Sequence, residues 1–169
     1  MARVAVRFDF GTIVVTGIVV ALVFAAFEMV VAALQMGVDA ATMPLRMIGA
    51  IVLGPDALDP SYPLMNAAAA GVVVHVVLSI VFTAIFAAMA PSVLGIFGLS
   101  ATSGNLAVAG VAFGVVLWLV NFYVIAPAAG WTWFPERTDP IVQSIAHAFF
   151  FGGLAGWMLG RRHPVLSAV

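Results

Sequence analysis

Residues 10–34 read FGTIVVTGIVVALVFAAFEMVVAAL, and the only ionisable side chain in that run is Glu28. About 20 predominantly apolar residues suffice for a helix to cross the hydrocarbon core of a bilayer. The stretch therefore predicts a spanning helix, and three more follow it. Residues 65–90 form the second, expected to stop at Pro91; residues 106–126 form the third, with Pro127 at its end; residues 141–159 form the fourth, closing against Arg161 and Arg162. The expected fold is an all-α integral membrane protein, a four-helix transmembrane bundle in one domain over residues 1–169.

Composition points the same way. The 169 residues are 64% hydrophobic and 8% charged, with a mean hydropathy of +1.21. Soluble domains are roughly 45–50% apolar and about 25% charged, so the solvent for this surface is expected to be lipid. The net charge is −1, and no basic patch suggests nucleic acid as a partner. Cysteine is absent, which excludes disulfides, thiolate catalysis and cysteine-ligated metal centres.

Arg3 and Arg7 before the first span resemble the charged start of a signal peptide. Its apolar run is about twice as long as a typical signal core, so it reads as a retained helix. Residues 43–53, MPLRMIGAIVL, are apolar but too short to span. With Pro44 at the start and Arg46 inside, they predict a short interfacial or re-entrant helix between spans one and two. Arg3, Arg7, Arg161 and Arg162 flank the two termini. The loops on the other side hold only Arg46 and Arg137, against Asp39, Asp56, Asp59, Glu136 and Asp139. The positive-inside rule puts both termini in the cytoplasm, and a bacterial inner membrane is the expected location. Trp131, Trp133 and Phe134 read as an aromatic belt at the outer interface, with Tyr123 a further anchor.

Small residues let helices pack in lipid, where no hydrophobic force drives association. Gly110 and Gly114 in span three, and Gly152, Gly156 and Gly160 in span four, are the expected packing positions. Span one offers Gly17, Ala21, Ala25 and Ala32. No convincing internal repeat or mid-span break of the kind found in transporters is visible.

Against this apolar background each span carries one polar group: Glu28, His75, Asn121 and His147. Counted from the nearer span ends at 1.5 Å per residue, all lie roughly 8–14 Å below one boundary. Glu28 shares the row of Ala21, Ala25 and Ala32, and Asn121 continues the face of Gly110 and Gly114. His75 heads a stripe with Ser79 and Thr83, and Gln143 and Ser144 precede His147 by one turn. Buried ionisable groups in membranes are functional candidates by default.

Four readings stay open for the layer. The groups could form a structural hydrogen-bond network. Glu28, His75 and His147 could ligate a divalent metal. His75 and His147, on diagonal helices, could clamp a b-type haem. The same residues could relay protons. Met29, Met43 and Met47 could add soft ligands, and His163 reads as a solvated terminal residue.

The stretches VVVHVVLSIVFTAIFA (72–87) and AHAFFFGGLAGWMLGRR (146–162), with the GxxxG-bearing third span that ends at Pro127, resemble the YagU-like bacterial inner-membrane proteins. The resemblance covers spans two to four. It implies a small inner-membrane protein connected with acid tolerance, and carries over His75 and His147 alone. Two function classes follow. One is a non-catalytic accessory subunit of a larger respiratory or photosynthetic membrane assembly, its partners being lipid and other subunits or further copies of itself. The other is a metal-, haem- or proton-binding protein acting through the polar layer. No catalytic nucleophile can be named.

Overall fold

The structure, a computed structural model, describes residues 7–162; Arg3 and His163 lie outside them. The described residues are helical, with no strand. Four helices are long and apolar enough to cross a membrane: α1 (Phe10–Met36), α3 (Leu64–Ile96), α4 (Ser103–Ala128) and α6 (Pro140–Arg162). Two shorter ones, α2 (Met43–Leu53) and α5 (Trp133–Arg137), sit in the connections at one end of the bundle.

The helix ends follow local chemistry. Asp9 caps α1 by accepting from the Thr12 backbone N–H at 2.9 Å and its hydroxyl at 2.6 Å. Thr102 caps α4 through the Asn105 N–H. Asp139 caps α6 by accepting from the Ile141 and Val142 N–H groups, with Pro140 in the first turn. The expected stop at Pro91 is wrong. α3 runs through that proline to Ile96, since proline keeps a helical φ and deletes a single N–H donor. The terminator is Gly98 at φ 67°. The Leu99 N–H reaches back to the Leu94 carbonyl at 2.9 Å, closing a Schellman turn.

The long helices form a ring in which α1 packs on α3 and α6, and α4 packs on α6 and α3. This leaves α3 and α6 across the diagonal. The α4–α6 seam is glycine against backbone. A Cβ at Gly110 would fall on the Gly152 carbonyl, one at Gly152 on the Gly110 carbonyl, one at Gly114 on the His147 carbonyl, and one at Gly156 on that of Leu106. Gly160 lies in the same way against Ser103, and on the other side of the ring Gly17 meets the Ile80 backbone.

The helix over residues 43–53 is present, and it folds back along the first turns of α3. Gly49 lies on the Ala67 carbonyl and Gly71 on the Leu45 carbonyl, so the pair is antiparallel and close. Arg46 is buried. Its guanidinium donates to the carbonyls of Ala57 (3.1 Å), Asp59 (3.1 Å) and Tyr62 (3.2 Å), fastening the α2–α3 connection. In that connection the Ser61 N–H and hydroxyl both donate to Asp59 Oδ1, which holds the Asp59 carboxyl below its usual range.

The bundle is filled unevenly. Towards the Phe10 end of α1, Phe86, Ala87, Ala90, Leu94, Leu106 and Leu159 close into a solid core. At mid-height Val20, Leu117, Phe151 and Ala155 form a second cluster. Above it, towards Met36, the helices part around a hollow. Outward faces are apolar nearly throughout, with Leu22, Val73, Val77, Val108, Val116 and Phe149 all exposed.

Candidate functional site

The hollow is a cavity of about 580 Å³ to which all four long helices and α2 contribute. Its walls are apolar and aromatic: Phe24, Val31, Met47, Ile48, Phe82, Leu117, Phe122 and Phe151. Into it come Glu28 from α1, His75 and Ser79 from α3, Asn121 from α4, and Gln143 and His147 from α6. Gln35, Met36, Arg137, Thr138 and Asp139 line the rim, where Gln35, Met36, Arg137 and Asp139 are exposed to solvent.

The polar groups are joined in a definite way. Gln143 Nε2–H donates to Glu28 Oε1 at 2.6 Å, and the Gln143 backbone carbonyl accepts from His147 Nδ1 at 2.9 Å. His75 Nε2 donates to the Ala21 carbonyl at 3.1 Å. A carbonyl oxygen can only accept, so each ring must carry its proton on the bonded nitrogen. That leaves the lone pairs of His75 Nδ1 and His147 Nε2 unspent.

Phe24 packs against both imidazoles. Its ring stacks on His75 with centroids 5.3 Å apart and meets His147 edge-on at 4.9 Å. Phe122 also meets His147 edge-on, at 5.4 Å. A haem held by both histidines would have to accommodate the Phe24 ring that packs on each of them. Among the described residues no group of three His, Asp or Glu lies close enough to hold a metal ion. The expected set of Glu28, His75 and His147 lines one cavity without forming such a group; Phe24 packs on both rings and Glu28 accepts from Gln143.

Two expected supports lie elsewhere. The Ser144 hydroxyl donates to the Ile141 carbonyl of its own helix and does not line the cavity. Thr83 is fully buried, outside the cavity walls, and its hydroxyl has no hydrogen-bond partner among the described residues.

The backbone at the site departs from α geometry. Residues Asn121–Ile125 of α4 and Ala146–Gly153 of α6 are π-helical. In α4 the Ala126 N–H reaches the Asn121 carbonyl, five residues back. Such insertions occur often at functional sites. Here they present Asn121 together with Phe122, and His147 together with Phe151, to the same hollow. The sequence reading treated these spans as regular helices, and no residue type announces the extra turn width.

The aromatic belt is corrected in part. Trp133 is buried, and its indole N–H donates to the Met47 carbonyl at 3.1 Å. Phe134 packs edge-on against Phe122 at 5.5 Å, and both Trp131 and Phe134 line the cavity. These residues lie over the hollow and tie α5 to α2; Tyr123 alone of the four is exposed, against Trp118. Phe24 and Phe122 were not singled out from sequence, although Phe24 lies one turn before Glu28 on the same face.

No family model, curated protein or solved structure matches the chain.

Proposed function

We propose that the chain is a polytopic inner-membrane protein that binds a small amphiphilic molecule in the hollow half of its bundle. The cavity carries this reading. Its volume of about 580 Å³ falls within the roughly 300–1,000 Å³ of small-molecule sites, which combine apolar walls with a few convergent polar groups. The polar layer then orients a ligand, with Glu28, His75 and His147 at its head and the aromatic walls around its body. Arg7, Arg161 and Arg162 lie at the bundle end away from the cavity. By the positive-inside rule that end is cytoplasmic, so the cavity opens towards the outer face. Lipid alone suffices to cover the exposed apolar faces. A binding role is therefore better supported than that of an accessory subunit in a larger assembly. The YagU-like resemblance fits the same proposal, since both positions it carries over, His75 and His147, line the cavity.

The test is a titration of the purified protein in lipid nanodiscs with the neutral fluorophore 9-anthracenemethanol. Saturable binding near one per chain is expected, and Asn121→Trp, which fills the cavity from its wall, should abolish it. Absence of saturable binding, or equal binding to Asn121→Trp, would overturn the proposal.

A further inference from the structure

Resting on the binding reading above, we infer that the cavity selects amphiphilic amines, held as ammonium ions by Glu28 with their apolar bodies against the aromatic walls. One of the two Gln143 amide N–H groups is spent on Glu28, the His147 N–H on the Gln143 carbonyl, and the His75 N–H on the Ala21 carbonyl. What remains towards a ligand includes three acceptors, the second Glu28 oxygen and one lone pair on each imidazole, beside the second Gln143 N–H, the Asn121 amide and the Ser79 hydroxyl. A guest that brings N–H groups satisfies those acceptors. A ketone or ether brings no donor for the Glu28 oxygen, and a carboxylate would meet Glu28 as a like charge.

Charge argues in the same direction. Glu28 is the one acid within the apolar run of α1, and its hydrogen-bond partner is a neutral amide. The arginines are engaged or remote. Arg46 is spent on three carbonyls, Arg161 lies over the Trp157 ring, and Arg137 stays at the exposed rim beside Asp139. Among the described residues the interior of the cavity thus holds one acid and no arginine, its other titratable groups being the imidazoles of His75 and His147. Around it stand the faces and edges of Phe24, Phe82, Phe122 and Phe151, and aromatic faces attract organic cations. An ammonium entering this site finds a counter-ion, hydrogen-bond acceptors and π-faces together.

The experiment compares 9-anthracenylmethylamine with 9-anthracenemethanol, two probes of one shape, on the protein in nanodiscs at pH 8 by anthracene fluorescence. The amine should bind about tenfold more tightly, because a charge-assisted hydrogen bond is roughly twice as strong as a neutral one. Glu28→Gln should erase the preference, bringing amine and alcohol to equal affinity within that variant; Glu28→Asp should keep part of it. Equal affinity for the two probes, or a preference unchanged in Glu28→Gln, would overturn the amine inference and leave the binding site standing. If neither probe binds protein whose helicity and melting are normal, the binding reading itself fails and this inference with it.

Discussion

Gln143 and Glu28 meet at 2.6 Å, an amide N–H of α6 on a carboxyl oxygen of α1. They are 115 residues apart in sequence, and their contact closes the first long helix onto the last at the cavity wall. Removing the amide leaves a carboxyl in an apolar setting without its partner, whereas removing both groups leaves neither unsatisfied. Gln143→Leu should therefore destabilise the protein by about 1–2 kcal/mol, the upper range for polar contacts between membrane helices. Glu28→Leu/Gln143→Leu should recover most of that loss. Reversible unfolding in mixed micelles, run as a double-mutant cycle, measures the coupling. Simple additivity of the two single variants would show the contact to be energetically idle.

The α4–α6 seam makes a sharper prediction. Cβ atoms at Gly110 and Gly152 would land on backbone carbonyls of the facing helix, which cannot move aside as a flexible side chain can. Gly110→Ala and Gly152→Ala should each destabilise by about 2 kcal/mol or more, in the range for overpacked interiors. Gly104→Ala is the control. Its added methyl meets nothing within 4 Å, and alanine is the better helix former by up to about 1 kcal/mol. Thermal unfolding of the three variants should rank Gly104→Ala at or above the parent and the other two well below.

Trp133 separates a belt from a lid. An interfacial tryptophan would be reached by quenchers in the lipid headgroup region. Trp133 is 6% exposed, whereas Trp157 is 44% exposed. In single-tryptophan proteins reconstituted with brominated lipid, Trp157 should be quenched strongly and Trp133 weakly. Trp133→Phe keeps the ring and deletes the bond to the Met47 carbonyl. It should lower stability by about 1 kcal/mol.

How far the sequence could be read follows from the kind of signal each feature leaves. The four long helices and the short one over residues 43–53 were legible because apolar length is a one-dimensional property. So were the glycines at 110, 114, 152, 156 and 160, whose spacing matches the helix repeat. Pro91 misled because proline is a statistical stop, and the competing Gly98 turn lay just beyond it. A common depth marked Glu28, His75, Asn121 and His147 as one layer; that they line one cavity was not legible from depth. Depth could not tell that Phe24 would pack on both imidazoles, that Gln143 would be the hub, or that Ser144 would turn back on its own helix. Those depend on rotation about each axis, and the π segments at 121–125 and 146–153 shift that rotation without a mark in the sequence. Trp133 was misread for a related reason: an aromatic before a charged loop looks the same whether it meets lipid or a helix folded beneath it.

The two histidines should show opposite tautomers. The carbonyls of Ala21 and Gln143 can only accept, so the proton sits on Nε2 in His75 and on Nδ1 in His147. Solid-state ¹⁵N spectra of histidine-labelled protein in bilayers should resolve two neutral rings of opposite assignment. Each should be removed by its own substitution, His75→Phe or His147→Phe. Two rings of one tautomer would contradict the hydrogen bonding around the cavity.

Acid should loosen the α2–α3 connection before it affects the helices. The Asp59 carboxyl is held below its ordinary range by the Ser61 hydroxyl and backbone N–H, with a smaller contribution from Arg46. A carboxyl with a depressed folded-state pKa stabilises the folded form fully above its unfolded value of about 4. That contribution fades as the pH falls through the lower folded value. The group is exposed, so the effect should be local rather than global. Amide exchange at Ser61 and Tyr62 should quicken as the pH is lowered below about 4, after correction for intrinsic exchange rates, while the cores of α3 and α6 keep their protection. Ser61→Ala removes the hydroxyl donor and should move the Asp59 titration upward towards the ordinary range, measured by side-chain ¹³C shifts. An unchanged titration in that variant would assign the depression to the backbone N–H and Arg46 instead.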